Sequence, residues 1–153
     1  MDNRKRIRLP EYDYSQAGAY FVTICTKDKI PLLSRIAIVG DDAHIVPSGY
    51  GQVVERYVRS IPGMDKYVIM PNHIHMIIRI EGGPMWASAP TQSLSTRVKS
   101  FKTLVTKEIG VSLFQRSYYD HVIRGEQDYQ EIWNYIDQNP LRWTLDEHYC
   151  KDA

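Results

Sequence analysis

The sequence has no apolar run close to the roughly 20 residues needed to cross a bilayer. It begins with charged residues rather than the apolar stretch of a secretory signal, so we expect a cytoplasmic protein with no membrane partner. The only two cysteines, Cys25 and Cys150, form neither a disulfide framework nor a zinc motif, and we expect free thiols. A glycine-rich phosphate loop ending in Lys-Ser or Lys-Thr is also missing, so we expect no nucleotide cofactor.

The length and composition are those of one ordinary globular domain. The 153 residues are 43% hydrophobic and 24% charged, which is enough apolar material for one core and too little chain for two. We predict a single domain over residues 1–153. It would carry a basic N-terminal arm at residues 1–10 and an acidic C-terminal tail at residues 144–153.

The net charge of +1 hides an uneven distribution of charged side chains. Basic residues dominate the arm and recur between residues 97 and 107 without an intervening acid, whereas acids outnumber basic residues from Asp128 onward. This polarity suits a polyanion bound on one surface, although ordinary solvated faces produce the same pattern. The two basic groups are Arg4, Lys5, Arg6 and Arg8, and Arg97, Lys99, Lys102 and Lys107.

The periodicity of the apolar residues predicts strands interleaved with helices. Helical spacing is found over residues 48–61, 93–109 and 125–139, and each segment is followed by a glycine or a proline. Residues rich in β-branched and aromatic side chains predict strands. These strand segments are residues 19–26, 36–39, 44–47, 67–80 and 118–123. The order predicts an α+β fold with helices packed on one face of an antiparallel sheet.

Two histidines lie on either side of one apolar residue in the predicted strand 67–80. Since strand side chains alternate, His73 and His75 share one face with Ile77 and Arg79. On the exposed sheet face this pair would be a candidate site for a divalent metal. The alternative is a pair of surface or hydrogen-bonded core histidines.

Tyr135 and Asn139 lie one turn apart on the last predicted helix. A tyrosine hydroxyl, with a pKa of about 10, attacks a phosphodiester usefully only when a metal neutralises the phosphate. Two imidazoles and an amide oxygen would leave positions on Mg²⁺ or Mn²⁺ for phosphate and water. Core packing is the alternative role for Tyr135.

Three ordered motifs carry a family resemblance. They are Gly-Ala-Tyr-Phe-Val-Thr at residues 18–23, Val-Ile-Met-Pro-Asn-His-Ile-His at 68–75, and Tyr-Ile-Asp-Gln-Asn-Pro at 135–140. The set resembles the HUH single-strand DNA transposases with one catalytic tyrosine, and most closely the REP-associated tyrosine transposases and their insertion-sequence relatives. The similarity runs from about Arg6 to Trp143. It implies a ferredoxin-like fold with the histidine pair on a central strand.

The resemblance also implies a mechanism. His73, His75 and Asn139 would bind Mg²⁺ or Mn²⁺, and Tyr135 would attack single-stranded DNA beside a hairpin to form a 5′-phosphotyrosine. The partners would be single-stranded or hairpin DNA and a second copy of the chain in a homodimer. Two basic residues beside the last predicted strand join the two groups above as predicted DNA contacts, namely Arg116 and Arg124.

Two other functions remain open from the sequence. An HUH replication initiator or relaxase would use the same residues, but such proteins tend to carry further domains. A ferredoxin-like nucleic-acid-binding module without catalysis would instead display aromatic residues on its central strands.

Overall fold

The computed structural model describes residues 18–81 and 92–143. A four-stranded antiparallel sheet has the order β4-β5-β1-β6, and β2 and β3 form a separate hairpin. The elements, in chain order, are β1 (Gly18–Cys25), β2 (Ser34–Val39), β3 (Asp42–Pro47), α1 (Gly49–Arg59), β4 (Met64–Ile69), β5 (His73–Ile80), α2 (Leu94–Ile109), β6 (Tyr119–Ile123) and α3 (Gly125–Gln138). The predicted α+β architecture is confirmed, with the histidine pair on a central strand.

Local signals explain where two of the helices begin and end. The Ser48 hydroxyl accepts a hydrogen bond from Gly51 N at 3.0 Å at the start of α1, and Ser93 caps α2 in the same way through Thr96 N. Gly110 ends α2 with a φ of 91°, a left-handed conformation that favours glycine. These caps are the polar and glycine residues on which the predicted boundaries rested.

The predicted single strand over residues 67–80 is wrong. The structure has two antiparallel strands, β4 and β5, joined by a turn that the hydrogen bond from Met70 N to His73 O closes at 2.8 Å. Pro71 in this turn has no N–H to donate to a sheet. Because the residues next to the turn are buried on both sides, from Val68 to Met70 before it and from His73 to Ile78 after it, hydropathy alone did not separate the two strands.

The main sheet is covered on both faces. The back face, which carries Ile74, Met76 and Ile78, packs against α1 and α2 in the larger core. The front face, which carries His73, His75 and Ile77, is covered by α3 in a second core that contains Ile136. The prediction placed all helices on one face and left the histidine face exposed. It failed for α3 because hydrophobic periodicity shows which side of a helix is buried but not against which face of a sheet.

Within the described residues, no helix is long and apolar enough to span a membrane. The basic arm with Arg4, Lys5, Arg6 and Arg8, and the acidic tail at residues 144–153, lie outside the described part of the chain.

Candidate active site

The two histidines stand next to each other on the front face of β5. In the register with β1, His73 lies opposite Cys25 and His75 lies opposite Thr23. Both histidine side chains are buried, at 0% and 3% exposure, and their ring centroids are 4.5 Å apart at 67°. The pair is therefore part of a covered site rather than a solvated surface.

Each imidazole has a protein partner at Nδ1. Nδ1 of His73 lies 2.8 Å from Asn72 Oδ1, and Nδ1 of His75 lies 2.8 Å from the Thr23 hydroxyl. Metal-binding histidines commonly hydrogen-bond through one nitrogen and ligate through the other. A metal would accordingly be bound here through the Nε2 atoms.

Tyr135 reaches the histidine pair within the same chain. Its ring centroid lies 5.2 Å from that of His75 and 6.1 Å from that of Phe21, in an edge-to-face arrangement with Phe21. Phe21 also lies 5.3 Å from the His75 ring. Because Tyr135 is 43% exposed, a large substrate can reach a residue whose neighbours are buried.

The segment that follows α3 closes over the other histidine. Trp143 stacks on His73 with 6.0 Å between ring centroids and 30° between ring planes. Asn139 lies in the chain between the residues that contact His75 and His73, and it is only 3% exposed. Within the described part of the chain, its buried Oδ1 makes no hydrogen bond. A cation is one partner that would satisfy such an oxygen.

These residues fit a hard divalent metal with open positions. Two imidazole nitrogens and one amide oxygen are ligands that Mn²⁺ accepts, and such a set leaves room for phosphate oxygens and water. Among residues 18–81 and 92–143, no three His, Cys, Asp or Glu side chains converge in a way that would offer a competing site. Asn139 is the candidate for a third protein ligand because its buried Oδ1 makes no hydrogen bond within the described residues.

A lysine from the sheet joins α3 to β4. Lys66 Nζ lies 3.1 Å from Asp137 Oδ1 and 4.1 Å from the centre of the Trp133 ring, and its side chain is only 17% exposed. Asp137 and Trp133 flank Tyr135 on the helix. Cation–π and ion-pair contacts are stronger when partly desolvated, so Lys66 helps to hold the part of α3 that carries Tyr135 against β4.

A second cluster holds the first half of α3. The Tyr129 hydroxyl donates to Asp65 Oδ2 at 2.6 Å, and Arg79 lies 3.2 Å from the same carboxylate and over the Tyr129 ring at 4.8 Å. Burial, together with the hydrogen bond to Asp65, raises the pKa of Tyr129. The phenol therefore remains protonated and continues to donate to Asp65.

Two of the predicted DNA contacts, Arg97 and Lys102, donate hydrogen bonds to backbone carbonyls of the protein itself. Arg97 is 8% exposed and donates to the carbonyls of Pro62 at 2.6 Å and Gln92 at 3.1 Å, and burial lowers the pKa of its guanidinium. Lys102 Nζ donates to Gln115 O at 2.8 Å and so supports the segment before β6. These engagements argue against Arg97 and Lys102 as phosphate contacts.

The remaining predicted contacts in the described residues are exposed but are not gathered at the site. Lys99 and Lys107 lie on α2, which packs on the back face, opposite the histidines. Arg116 and Arg124 flank β6 and are also exposed. The structure thus brings Tyr135 together with His73 and His75, whereas the basic side chains are spread around the fold.

The sequence interpretation assigned no role to four residues at this site, namely Phe21, Thr23, Asn72 and Trp143. Strand alternation was the available signal for the first two, because each pairs with a residue on the front face of β5. Asn72 was visible only as a member of the motif. Trp143 had no local signal, since its contact depends on the path of the chain after α3.

Comparisons with known proteins agree with this fold. No protein-family model matches the chain. An uncharacterised Haemophilus influenzae protein is 32% identical over 173 residues, which cover 96% of this chain and 93% of that protein. A second protein of this organism, named "Putative REP-associated tyrosine transposase", is 25% identical over 138 residues, which cover 85% of this chain and 74% of that protein.

A solved structure has the same fold. It is the REP-associated tyrosine transposase bound to a REP hairpin, with a TM-score of 0.64 and 20% identity, over 88% of this chain and 73% of the solved one. This chain therefore has the fold of that transposase, and in this chain a histidine pair faces a tyrosine on α3. The chain belongs to the same family as the uncharacterised Haemophilus influenzae protein, and its ordered motifs agree with the likeness to REP-associated tyrosine transposases.

Proposed function

We propose that this protein is a metal-dependent transposase that cleaves and rejoins single-stranded DNA at hairpin-associated sites. The observation that carries the proposal is the contact between Tyr135 and His75, with the buried oxygen of Asn139 one turn further along. The similarly folded transposase that was solved with a REP hairpin supports hairpin DNA as the substrate.

The proposed reaction is a transesterification. The Tyr135 hydroxyl attacks the scissile phosphorus, the bond to the 3′ oxygen breaks, and the DNA remains attached through a 5′-phosphotyrosine. The phenolic proton passes to solvent, and the leaving 3′ oxygen takes up a proton from solvent to become a 3′-hydroxyl. Attack by another 3′-hydroxyl reverses these steps and joins strands, so no nucleotide triphosphate is consumed.

The residues divide this work. His73, His75 and Asn139 would hold Mg²⁺ or Mn²⁺, which when bound neutralises charge on the scissile phosphate. Phe21 packs against both Tyr135 and His75 and so restricts the orientation of the tyrosine ring. Such restriction favours in-line attack because the reacting groups are already oriented before the reaction.

The first test is covalent capture of the DNA. With Mn²⁺ and a labelled single-stranded hairpin oligonucleotide, we expect a protein–DNA adduct that survives denaturing electrophoresis. Tyr135→Phe should abolish the adduct because it removes the attacking oxygen, and His73→Ala should reduce it by about 100-fold or more. Tyr50→Phe is a matched control, since Tyr50 is 40% exposed but lies on α1, on the far side of the sheet.

An undiminished adduct in Tyr135→Phe would refute the assignment of the nucleophile. Hairpin binding by the wild-type protein without any adduct would identify a non-catalytic binding module. Cleavage without rejoining, even when a 3′-hydroxyl strand is supplied, would instead indicate an initiator or relaxase type of nickase.

A further inference from the structure

The side chain of Asn72 has only one sensible orientation. It is fully buried in the turn before β5, with Nδ2 3.1 Å from the carbonyl oxygen of Lys29 and Oδ1 2.8 Å from Nδ1 of His73. A carbonyl oxygen accepts hydrogen bonds and does not donate them. Rotating the amide by 180° would place two acceptors against each other, so Nδ2 faces Lys29 and Oδ1 faces His73.

This orientation decides which nitrogen of His73 carries the proton. Because an amide oxygen only accepts, the hydrogen bond at 2.8 Å requires a proton on Nδ1. A neutral imidazole has a single N–H, so its other nitrogen, Nε2, then carries the lone pair. A lone pair at that position is what a metal ion needs from the ring.

The backbone around Asn72 is held on the opposite side. The backbone oxygen of Asn72 accepts from Thr26 N at 3.0 Å and from the Thr26 hydroxyl at 3.2 Å. The acceptor at Lys29 belongs to a short turn in which Asp28 and Lys29 both have left-handed backbones, with φ of 56° and 55°. Residues other than glycine seldom adopt this conformation, and it persists only where the surroundings enforce it.

We infer that Asn72 is a positioning residue that holds His73 in the Nδ1–H tautomer and so presents Nε2 as the metal-binding atom. The metal-binding part of this inference rests on the proposed function, whereas the tautomer does not. The equivalent contact of His75 is less decisive, because the Thr23 hydroxyl both donates and accepts. The hydrogen-bond partner at Nδ1 therefore fixes the tautomer of His73 but not that of His75.

The direct test is ¹⁵N NMR of the imidazole nitrogens in the metal-free protein, recorded in mildly alkaline buffer. In the wild type we expect Nδ1 of His73 to be the protonated nitrogen. Asn72→Leu, of similar size but without an acceptor, should release His73 to the Nε2–H tautomer. Asn72→Asp keeps an acceptor and should retain the Nδ1 proton.

Thr23→Val provides the matched control, since it removes the Nδ1 partner of His75 and leaves that of His73. It should leave the His73 tautomer unchanged. A wild-type His73 protonated at Nε2 overturns the inference, and so does an Nδ1 proton that persists in Asn72→Leu. If Asn72→Leu does not fold, the wild type and Asn72→Asp decide the matter on their own.

A second readout is Mn²⁺ affinity measured by calorimetry. We expect Asn72→Leu to bind Mn²⁺ about 10- to 100-fold more weakly than the wild type, and Asn72→Asp to restore most of the affinity. If the wild type binds no Mn²⁺ but shows the Nδ1–H tautomer, the proposed function fails while the tautomer assignment stands. Normal Mn²⁺ binding by a folded Asn72→Leu contradicts the role of Asn72 in presenting the ligand.

Discussion

At the scale of the residue, the buried side-chain oxygen of Asn139 lowers the stability of the fold unless a ligand such as a metal ion binds to it. Burying a carbonyl oxygen without a hydrogen bond costs about 1–3 kcal/mol. Asn139 Oδ1 is in this situation within the described residues, one turn after Tyr135. If Asn139 is a metal ligand, the protein keeps this residue for metal binding although it makes the metal-free fold less stable.

We therefore predict opposite effects of Asn139→Leu on stability and on metal binding. The metal-free variant should be as stable as the wild type or more stable by about 1 kcal/mol, because the buried oxygen is gone. Its affinity for Mn²⁺ should fall about 10-fold or more, because one ligand is lost. Urea unfolding and calorimetry measure the two quantities.

Asn134→Leu makes the same substitution at an exposed position of α3 and should change neither quantity. A loss of stability in Asn139→Leu with unchanged Mn²⁺ affinity would assign Asn139 to the structure of the helix end.

The site residues that could be predicted from the sequence are those whose side chains can bind a metal or act as a nucleophile. His73, His75 and Tyr135 stood out by spacing and residue type, and the structure brings them together. Arg97 was misread, because a basic residue on a helix usually points to solvent. Its guanidinium instead donates to the carbonyl of Pro62, which is distant in sequence. The sequence around Arg97 gives no sign of such a long-range hydrogen bond.

At the scale of the element, the N-terminus of α3 is held by a charged cap. Asp128 Oδ2 accepts from Arg124 N and interacts with His121 Nε2, both at 2.9 Å, which links the helix to β6. The backbone hydrogen bond from Arg124, followed by the contact with His121, lowers the pKa of Asp128. The ionised form is thus favoured in the folded protein.

This shift predicts how the stability of the protein depends on pH. A carboxylate whose folded pKa is lowered stabilises the fold above its unfolded pKa of about 3.9, and this stabilisation is lost as the pH falls through the folded value. Asp128→Asn should therefore be less stable than the wild type at neutral pH. The difference should shrink as the pH falls below about 4.

Urea unfolding of both proteins across that pH range provides the measurement. Glu126→Gln, which removes an exposed carboxylate from the first turn of the same helix, is the control for the loss of one negative charge. A stability difference for Asp128→Asn that stays constant with pH would show that the charge of Asp128 does not contribute.

Helices and strands were predictable where an end was marked by a cap or a glycine, as in α1 and α2. The β4–β5 turn was missed because the chain is buried without interruption from Val68 to Ile78, and such burial hides the point where one strand ends and the next begins. The placement of α3 on the front face was also missed. It depends on partners such as Lys66 and Asp65, which are distant in sequence.

At the scale of the whole molecule, the exposed lysines of α2 and the candidate active site lie on opposite faces of the sheet. A DNA hairpin that contacts both the α2 lysines and the candidate active site must extend around an edge of the sheet. Contacts on α2 would then add affinity without taking part in the cleavage.

We predict that Lys99→Ala combined with Lys107→Ala weakens hairpin binding and makes it less sensitive to salt. Each lost phosphate contact should lower the slope of log K against log salt by about 1. At saturating DNA the rate of adduct formation should be unchanged, because neither lysine is near Tyr135. Fluorescence anisotropy at several salt concentrations measures the slope.

A slope equal to that of the wild type would remove α2 from the DNA-binding surface. A slower adduct at saturating DNA would place the lysines closer to the reaction than the fold indicates.

The contact between Tyr135 and His75 inside a single chain has a kinetic consequence. A site completed by two chains loses activity with the square of the concentration on dilution, whereas a site built within one chain loses it in simple proportion. The homodimer remains a prediction, and forming this contact does not require one. If the proposed function is correct, a single molecule holds Tyr135 beside its histidine pair, and the frequency of strand cleavage follows the number of molecules rather than the number of their encounters.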